Sequence, residues 1–333
     1  MPGSHDIDPV PRDRLVAVVV THRRLAPLQR SIRALLAEAA TDLAAVLVVD
    51  NASDDGTAEW LAQLDDPRLM VVRSARNIGG AGGFALGMKT AMERLSPDWL
   101  VVMDDDAHPR PGALAAFHGL DLTPYDGFAA AVRDPQGVLC DMNRPTFDPF
   151  RHPMVLLRTL LGQGREGFHL NERDMARPGL RDVDGGSFVG FFVRARVVAQ
   201  RGYPDARLFL YGEDALYTLG LSKAGHRIGF DPSVCFEHES TTYSPRDPRI
   251  RPLWKVFYYY RNLLILYRFS AGPWFPLVAL LFLPKWLLRV RFYRGQRWAF
   301  LRLLRLAIRD GLAQRTDRTH REVRALADER PSA

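Results

Sequence analysis

Hydrophobic residues in this chain gather in short unbroken runs separated by amphipathic stretches. Leu15-Val-Ala-Val-Val-Val20 and Leu43-Ala-Ala-Val-Leu-Val-Val49 have strand length and no polar interruption, the pattern of strands buried on both faces. Leu69 to Arg73 reads as a third, shorter strand, and the run from Trp99 to Met103 as a fourth. Helical patterns lie between them: about Pro27 to Ala39, around Trp60 and Leu61, and from a glycine run to about Arg94. Strands alternating with helices predict an α/β fold with a mostly parallel sheet, whose ligands bind outside the carboxyl ends of the strands. Thr21, Asp50, Asn77 and the triplet Asp104-Asp105-Asp106 all fall at that edge. From about Leu120 to Asp182 the pattern weakens among prolines, glycines and charges and reads as a loop-rich insertion; order returns at Asp184 and continues to Asp231. The polar residues 1–13, with Pro2, Pro9 and Pro11, read as a disordered tail. The main domain is then 14–243, divided near 119/120, followed by a basic amphipathic helical extension over 244–333.

Composition changes this picture in two places. Two cysteines, Cys140 and Cys235, supply neither a disulfide framework nor zinc spacing, which points to a reducing cytoplasm. The net charge of +7 is concentrated late: twelve Lys/Arg lie between Lys285 and Arg324, against Asp310, Asp317 and Glu322. Such a block attracts phosphates of lipid or nucleic acid. The preceding apolar stretch, Trp274 to Leu288, is interrupted by Pro276, Pro284 and Lys285 and is shorter than the roughly 20 residues that span a bilayer. It reads as lying on a membrane or packing on the domain. No nucleic-acid recognition pattern is visible.

The triplet after the fourth strand carries the clearest chemistry. Neighbouring carboxylates raise each other's pKa unless a cation neutralises them. Side chains alternate along a strand, so Asp104 and Asp106 share a face while Asp105 turns away. Two hard oxygen ligands beside a crevice suit Mg²⁺ or Mn²⁺ carrying a diphosphate; an acidic turn after a strand is the structural alternative. Asn77-Ile-Gly-Gly-Ala-Gly-Gly-Phe84 follows the third strand, not the first, which argues against a dinucleotide fingerprint. Its glycines admit close backbone approach to a ligand, or simply form a flexible loop feeding a helix. Glu213 and Asp214 form an adjacent acid pair at the start of a helix, where acids also complement the helix dipole. The Asp184-Gly-Gly-Ser-Phe-Val-Gly stretch could floor a sugar site, and His22 reads as a surface loop residue.

Thr21-His-Arg-Arg, Val49-Asp-Asn-Ala-Ser-Asp-Asp-Gly-Thr57, Arg76-Asn-Ile-Gly-Gly-Ala-Gly-Gly-Phe84 and Met103-Asp-Asp-Asp-Ala107 come in the order and spacing of family 2 inverting glycosyltransferases of GT-A fold. The resemblance covers about 14–243; the glycine run looks most like galactofuranosyltransferases, with rhamnosyltransferases next. It implies that Thr21, Asp50 and Asn51 contact the base and ribose of a UDP-sugar donor, although relatives often carry a second Asp at the position of Asn51. It also implies that Arg24 reaches the donor phosphates. Asn77, Gly79 and Gly80 would wall the sugar-nucleotide side, with Asp104 and Asp105 beside it. By the same resemblance Asp104, Asp106 and His238 bind Mn²⁺ or Mg²⁺, Asp214 is the catalytic base, and Glu213 holds acceptor or donor sugar. The acceptor would be a glycan or a polyprenyl-diphosphate-linked glycan.

Tyr258-Tyr-Tyr-Arg-Asn262 opens the extension, where two or three helices with apolar faces and arginine-rich opposite faces are expected. Trp286, Phe292, Trp298 and Phe300 would anchor them in anionic headgroups, placing the protein peripherally on the inner face of the cell membrane. Docking on the domain or on another subunit is the alternative, so a homo-oligomer stays open. The basic tail from Arg318 is expected to fray. The expected activity is thus inverting transfer, best of galactofuranose from UDP-galactofuranose. The rivals are dTDP-rhamnose transfer and, in another class, a degenerate nucleotide-binding regulatory protein at the membrane.

Overall fold

The computed structural model describes residues 12–239 and 247–328. The expected disorder of 1–13 therefore falls, up to residue 11, outside the described residues, as does the 243/244 boundary.

The first half is built as the apolar runs dictate. Strands β1 (Leu15–Thr21), β2 (Ala45–Asp50), β3 (Leu69–Arg73) and β4 (Trp99–Asp104) alternate with helices α1 (Leu25–Ala37), α2 (Thr57–Leu61) and α3 (Gly79–Arg94). They pair in parallel in the order β3-β2-β1-β4. Leu15, Ala17 and Val19 of β1 enter one apolar core, while Val16, Val18 and Val20 enter the other. Both faces are covered, which is why the strand carries no polar residue before Thr21 at its carboxyl end. Because β1 lies between β2 and β4, strand order reverses beside β1. That crevice opens at Thr21 and Asp104.

The second half is a mixed sheet. It comprises β5 (Ala107–Pro109), α4 (Ala113–Gly119), β6 (Gly127–Arg133), α5 (Pro153–Arg158), α6 (Glu172–Ala176) and β7 (Arg181–Val183), then β8 (Phe191–Arg194), α7 (Ala195–Arg201), α8 (Glu213–Lys223) and β9 (Ile228–His238). β8 joins β4 antiparallel, β6 runs parallel to β9, and β5 closes the edge antiparallel to β9. The sheet is wholly parallel only in its first half.

The region read as a loop-rich insertion therefore contains a central strand, β6. Its sequence, Gly127-Phe-Ala-Ala-Ala-Val-Arg133, has a run of alanines and only one of the β-branched residues that mark strands, Val132. Small side chains are needed there: a Cβ on Gly186 or Gly190 would lie 2.8 or 2.9 Å from the Cβ of Ala129 or Ala130. The segment 184–190 thus packs flat on β6.

Among the described residues the extension has four α-helices: α9 (Lys255–Ala271), α10 (Phe275–Leu288), α11 (Arg297–Leu312) and α12 (His320–Asp328). α11 buries Phe300, Leu303, Leu304 and Ala307 with α9 residues in a third core, leaving Arg297, Arg305 and Arg309 outside. Of the four expected membrane anchors only Trp298 is fully exposed; Trp286 and Phe300 are buried around Tyr260, and Phe292 is half-buried. The tail does not fray at Arg318, which pairs with buried Asp310, and Val323 of α12 is buried. Instead, the exposed apolar face belongs to α10, through Leu277, Leu280, Leu281 and Leu288, with exposed Trp274 just before it. Among the described residues one helical run, Lys255–Phe292, has the length and apolar composition to cross a membrane. It breaks at Gly272 (φ 52°), and α10 alone has 14 residues.

Candidate active site

β4 ends at Asp104, and β5, only two residues later, pairs with the end of β9 so that Ala107 lies opposite His238. Strand pairing thereby carries His238 to the acidic triplet across more than 130 residues of chain. Ligand atoms of Asp104, Asp106 and His238 all lie within 4.8 Å of one another. His238 Nε2 stands 3.2 Å from Asp106 Oδ1, while its Nδ1–H donates to Asn143 Oδ1 at 2.9 Å. That is the usual arrangement by which an outer partner orients a metal-binding imidazole. Asp105 turns the other way, accepting from Thr21 Oγ1 at 2.7 Å and pairing with Arg24 Nε at 3.1 Å.

The electrostatics follow from this packing. Burial, then the charge of Asp106, pushes the Asp104 carboxyl well above its ordinary range. Burial also lifts Asp105 to about 7, against the opposing pull of Arg24. Burial works the same way on Asp106, but hydrogen bonds and charge from His238 and Arg24 outweigh it and hold that carboxyl low. Two converging carboxylates and an oriented imidazole make a donor set that fits a divalent cation, which would remove the repulsion between the carboxylates.

The residues expected around the nucleotide are mostly engaged with each other. Arg24 is paired with Asp105 and, at 2.5 Å, with Asp106. Buried Asp50 accepts from the Ser53 backbone N–H through Oδ1, closing a turn. Its Oδ2 has no hydrogen bond; Arg73 Nε stands 3.4 Å away. Beside it opens a cleft of about 450 Å³ lined by Ala52, Ser53, Asp54, Arg73, Ser74 and Ala75. Asn51 staples β2 to the glycine turn: Oδ1 accepts from Ile78 N–H and Nδ2 donates to Gly79 O, both at 2.9 Å. Asn77 Oδ1 accepts from Gly79 N–H at 2.8 Å. His22, read as a surface residue, is half-buried with Nδ1 2.8 Å from Asn51 O.

Gly79, Gly83 and Gly87 admit protein. A Cβ would meet the Phe209 carbonyl at 2.0 Å from Gly79 (φ 77°), Val20 at 2.4 Å from Gly83 and Val18 at 2.5 Å from Gly87. Gly80 faces Glu213, whose Oε1 would lie 3.3 Å from such a Cβ. Glu213 and Asp214 begin α8 immediately after Gly212 (φ 81°). Phe209 (φ 66°) and Tyr211 (φ 69°) just before them hold left-handed backbone, a conformation costing about 1–3 kcal/mol per non-glycine residue.

Glu213 Oε2 is buried without a hydrogen bond, and Glu213 is near enough to Asp104 for its charge to help raise the Asp104 carboxyl. Burial, then the charge of Asp214, raises Glu213 to about 8. Burial also raises Asp214, whose Oδ1 accepts from Ala215 N–H at 2.7 Å. Sequence reasoning missed Asn143, which lies in the weakly patterned insertion and gives no local sign of its partner.

A family model described as glycosyltransferase like family 2 matches residues 11–251. The chain belongs to this family. Among relatives of this glycosyltransferase, galactofuranosyltransferase GlfT1 of Mycolicibacterium smegmatis is 32% identical over 231 residues, covering 68% of this chain and 71% of that one. N-acetylglucosaminyl-diphospho-decaprenol L-rhamnosyltransferase of Mycobacterium tuberculosis is 27% identical over 247 residues, covering 71% and 79%. The solved mannosyltransferase PcManGT of Pyrobaculum calidifontis, in complex with GDP-Man and Mn²⁺, superposes over 96% of this chain and 81% of its own, with TM-score 0.50 and 18% identity. The fold of the family 2 chain is GT-A, as its motifs imply.

Proposed function

We propose that this transferase moves galactofuranose from UDP-galactofuranose onto a glycan or polyprenyl-diphosphate-linked glycan, with inversion and with Mn²⁺ or Mg²⁺. The observation that carries this reading is the Asp104–Asp106–His238 cluster at the strand-order reversal, with the acid pair near enough for the charge of Glu213 to act on Asp104. The likeness to GlfT1 supports the donor sugar, and the Mn²⁺ bound by PcManGT supports the metal. A divalent ion held by Asp104, Asp106 and His238 would neutralise charge on the departing diphosphate. Asp214 takes the proton of the acceptor hydroxyl as its oxygen bonds to the anomeric carbon. The bond from that carbon to the diphosphate oxygen breaks on the opposite face, its electron pair leaving with UDP. Glu213, protonated to about pH 8, donates a hydrogen bond to a sugar hydroxyl. Asp50 and the adjoining cleft take the base and ribose. Thr21 and Arg24 act through Asp105 and Asp106, and Asn51, Asn77 and Gly79 shape the wall.

Membrane attachment completes the reading. The exposed face of α10 is rimmed by exposed Lys285, Arg291, Arg294 and Arg297. A second apolar ridge, Met154, Leu157, Leu160 and Leu161, stands on the insertion; Leu161 is 75% exposed. Ser270 Oγ donates to Asp148 Oδ1 at 2.6 Å, tying the end of α9 to the segment that precedes this ridge. Apolar ridges with basic rims fit an anionic lipid surface.

The test is release of nucleotide diphosphate from UDP-galactofuranose, UDP-galactopyranose, UDP-glucose and dTDP-rhamnose, each with Mn²⁺ and a polyprenyl-diphosphate glycan acceptor. Turnover of UDP-galactofuranose, abolished by chelator, is expected. Turnover of dTDP-rhamnose instead would establish the alternative that the rhamnosyltransferase likeness favours.

A further inference from the structure

The segment that aims the acid pair is held from the extension. Asn262 of α9, 1% exposed, shares the two N–H groups of its Nδ2 among three carbonyls: Leu208 at 3.1 Å, Leu210 at 2.8 Å and Tyr211 at 2.7 Å. Arg261, fully buried, donates through Nε to Asn262 Oδ1 at 2.8 Å and through Nη2 to Leu208 O at 2.7 Å. The first bond fixes which end of the Asn262 amide faces the loop. A Cβ on Gly212 would stand 3.6 Å from the Cβ of Asn262. The Phe209 ring is stacked on Tyr258 and on His320, with centroids 4.8 and 4.4 Å away. On its far side the Phe209 carbonyl accepts from Ala81 N–H at 3.2 Å, against Gly79.

Left-handed residues at 209, 211 and 212 turn three carbonyls out of any helix or strand ladder. Carbonyls withdrawn from water need donors: Leu208 has the Leu210 N–H at 2.8 Å besides Arg261 and Asn262, whereas Leu210 and Tyr211 rely on Asn262, and both side chains are buried polar groups in an otherwise aromatic helix face. We propose that Arg261 and Asn262 are positioning residues for transfer: they fix Leu208–Gly212 in the one conformation that presents Glu213 and Asp214 to the metal cluster. They touch no reacting atom and act through the backbone. The extension is therefore part of the catalytic apparatus, independently of any membrane role. This rests on the role proposed above for the acid pair.

Amide hydrogen exchange over residues 206–216 tests the clamp without any donor. Full-length wild type is compared with Asn262→Asp, which keeps the shape and loses the donors, and with Leu264→Ala, which loosens the packing of α9 against α11. Asn262→Asp should speed exchange in that segment by about tenfold or more, and Leu264→Ala should not. With UDP-galactofuranose, Asn262→Asp should lower kcat about 100-fold, as a small misplacement of catalytic groups does. KM should stay within about threefold, and Leu264→Ala should retain turnover. Unchanged exchange in Asn262→Asp, equal acceleration in Leu264→Ala, or retained kcat would overturn the proposal. If wild type releases no UDP, the donor assignment fails and the exchange comparison alone decides the clamp.

Discussion

Gly79→Ala separates two roles for the glycine run, approach to a ligand and approach to protein. Gly79 holds φ 77°, and a Cβ there would sit 2.0 Å from the Phe209 carbonyl oxygen and 2.7 Å from its carbon. Alanine in left-handed backbone costs about 1–2 kcal/mol. Forcing Phe209 away adds about 1–3 kcal/mol, as overpacking does. The total of about 2–5 kcal/mol corresponds, for a domain of this size, to a fall in Tm of about 4–10 °C. Differential scanning calorimetry measures that fall, and a UDP titration of the folded variant measures binding. Turnover should drop as well, because Phe209 leads directly into the acid pair. An unchanged Tm with weakened UDP binding would refute the reasoning and return Gly79 to the nucleotide wall.

Four further outcomes are expected. Asn143→Ala should weaken Mn²⁺ binding about 10–100-fold by freeing the His238 ring, read by metal titration with the fold intact by circular dichroism. Asp214→Asn should abolish transfer while UDP still binds; loss of UDP binding would assign Asp214 a different role. In chelator, Glu213 keeps its proton in the folded state up to about pH 8, whereas unfolded chain loses it near its ordinary value of 4.5. Stability should therefore fall as pH rises across that window, and Glu213→Gln should flatten the fall and raise Tm at pH 8. Leu160→Glu with Leu161→Glu, or Leu280→Glu with Leu281→Glu, should release the protein from phosphatidylglycerol vesicles in sedimentation without loss of soluble turnover. Persistent pelleting of both pairs would remove these ridges from the membrane account.

The first four strands and the sheet edge were legible because their signals are local. Strands buried on both faces are written as continuous apolar runs, and Asp104 and Asp106 share a face by simple alternation. What was hidden depended on distant partners. β6 reads as featureless because alanines make room for Gly186 and Gly190, a requirement set more than 50 residues away. The glycines of α3 are tight against β1 and Phe209, and their spacing alone could not distinguish that from a phosphate cradle. Arg261 and Asn262 sit in an aromatic stretch resembling a membrane-facing helix, yet both side chains are buried against a loop 50 residues earlier. The arginine periodicity of α11 is real, but its apolar face packs on α9 and leaves the exposed face to α10.

Calorimetric titration of UDP into the full-length protein, with and without Mn²⁺, tests the central claim most directly when repeated on Asp106→Asn. The account predicts binding that requires the metal in wild type and is lost in Asp106→Asn at unchanged Tm. UDP binding of equal strength in chelator, or full metal-dependent binding by Asp106→Asn, would contradict it.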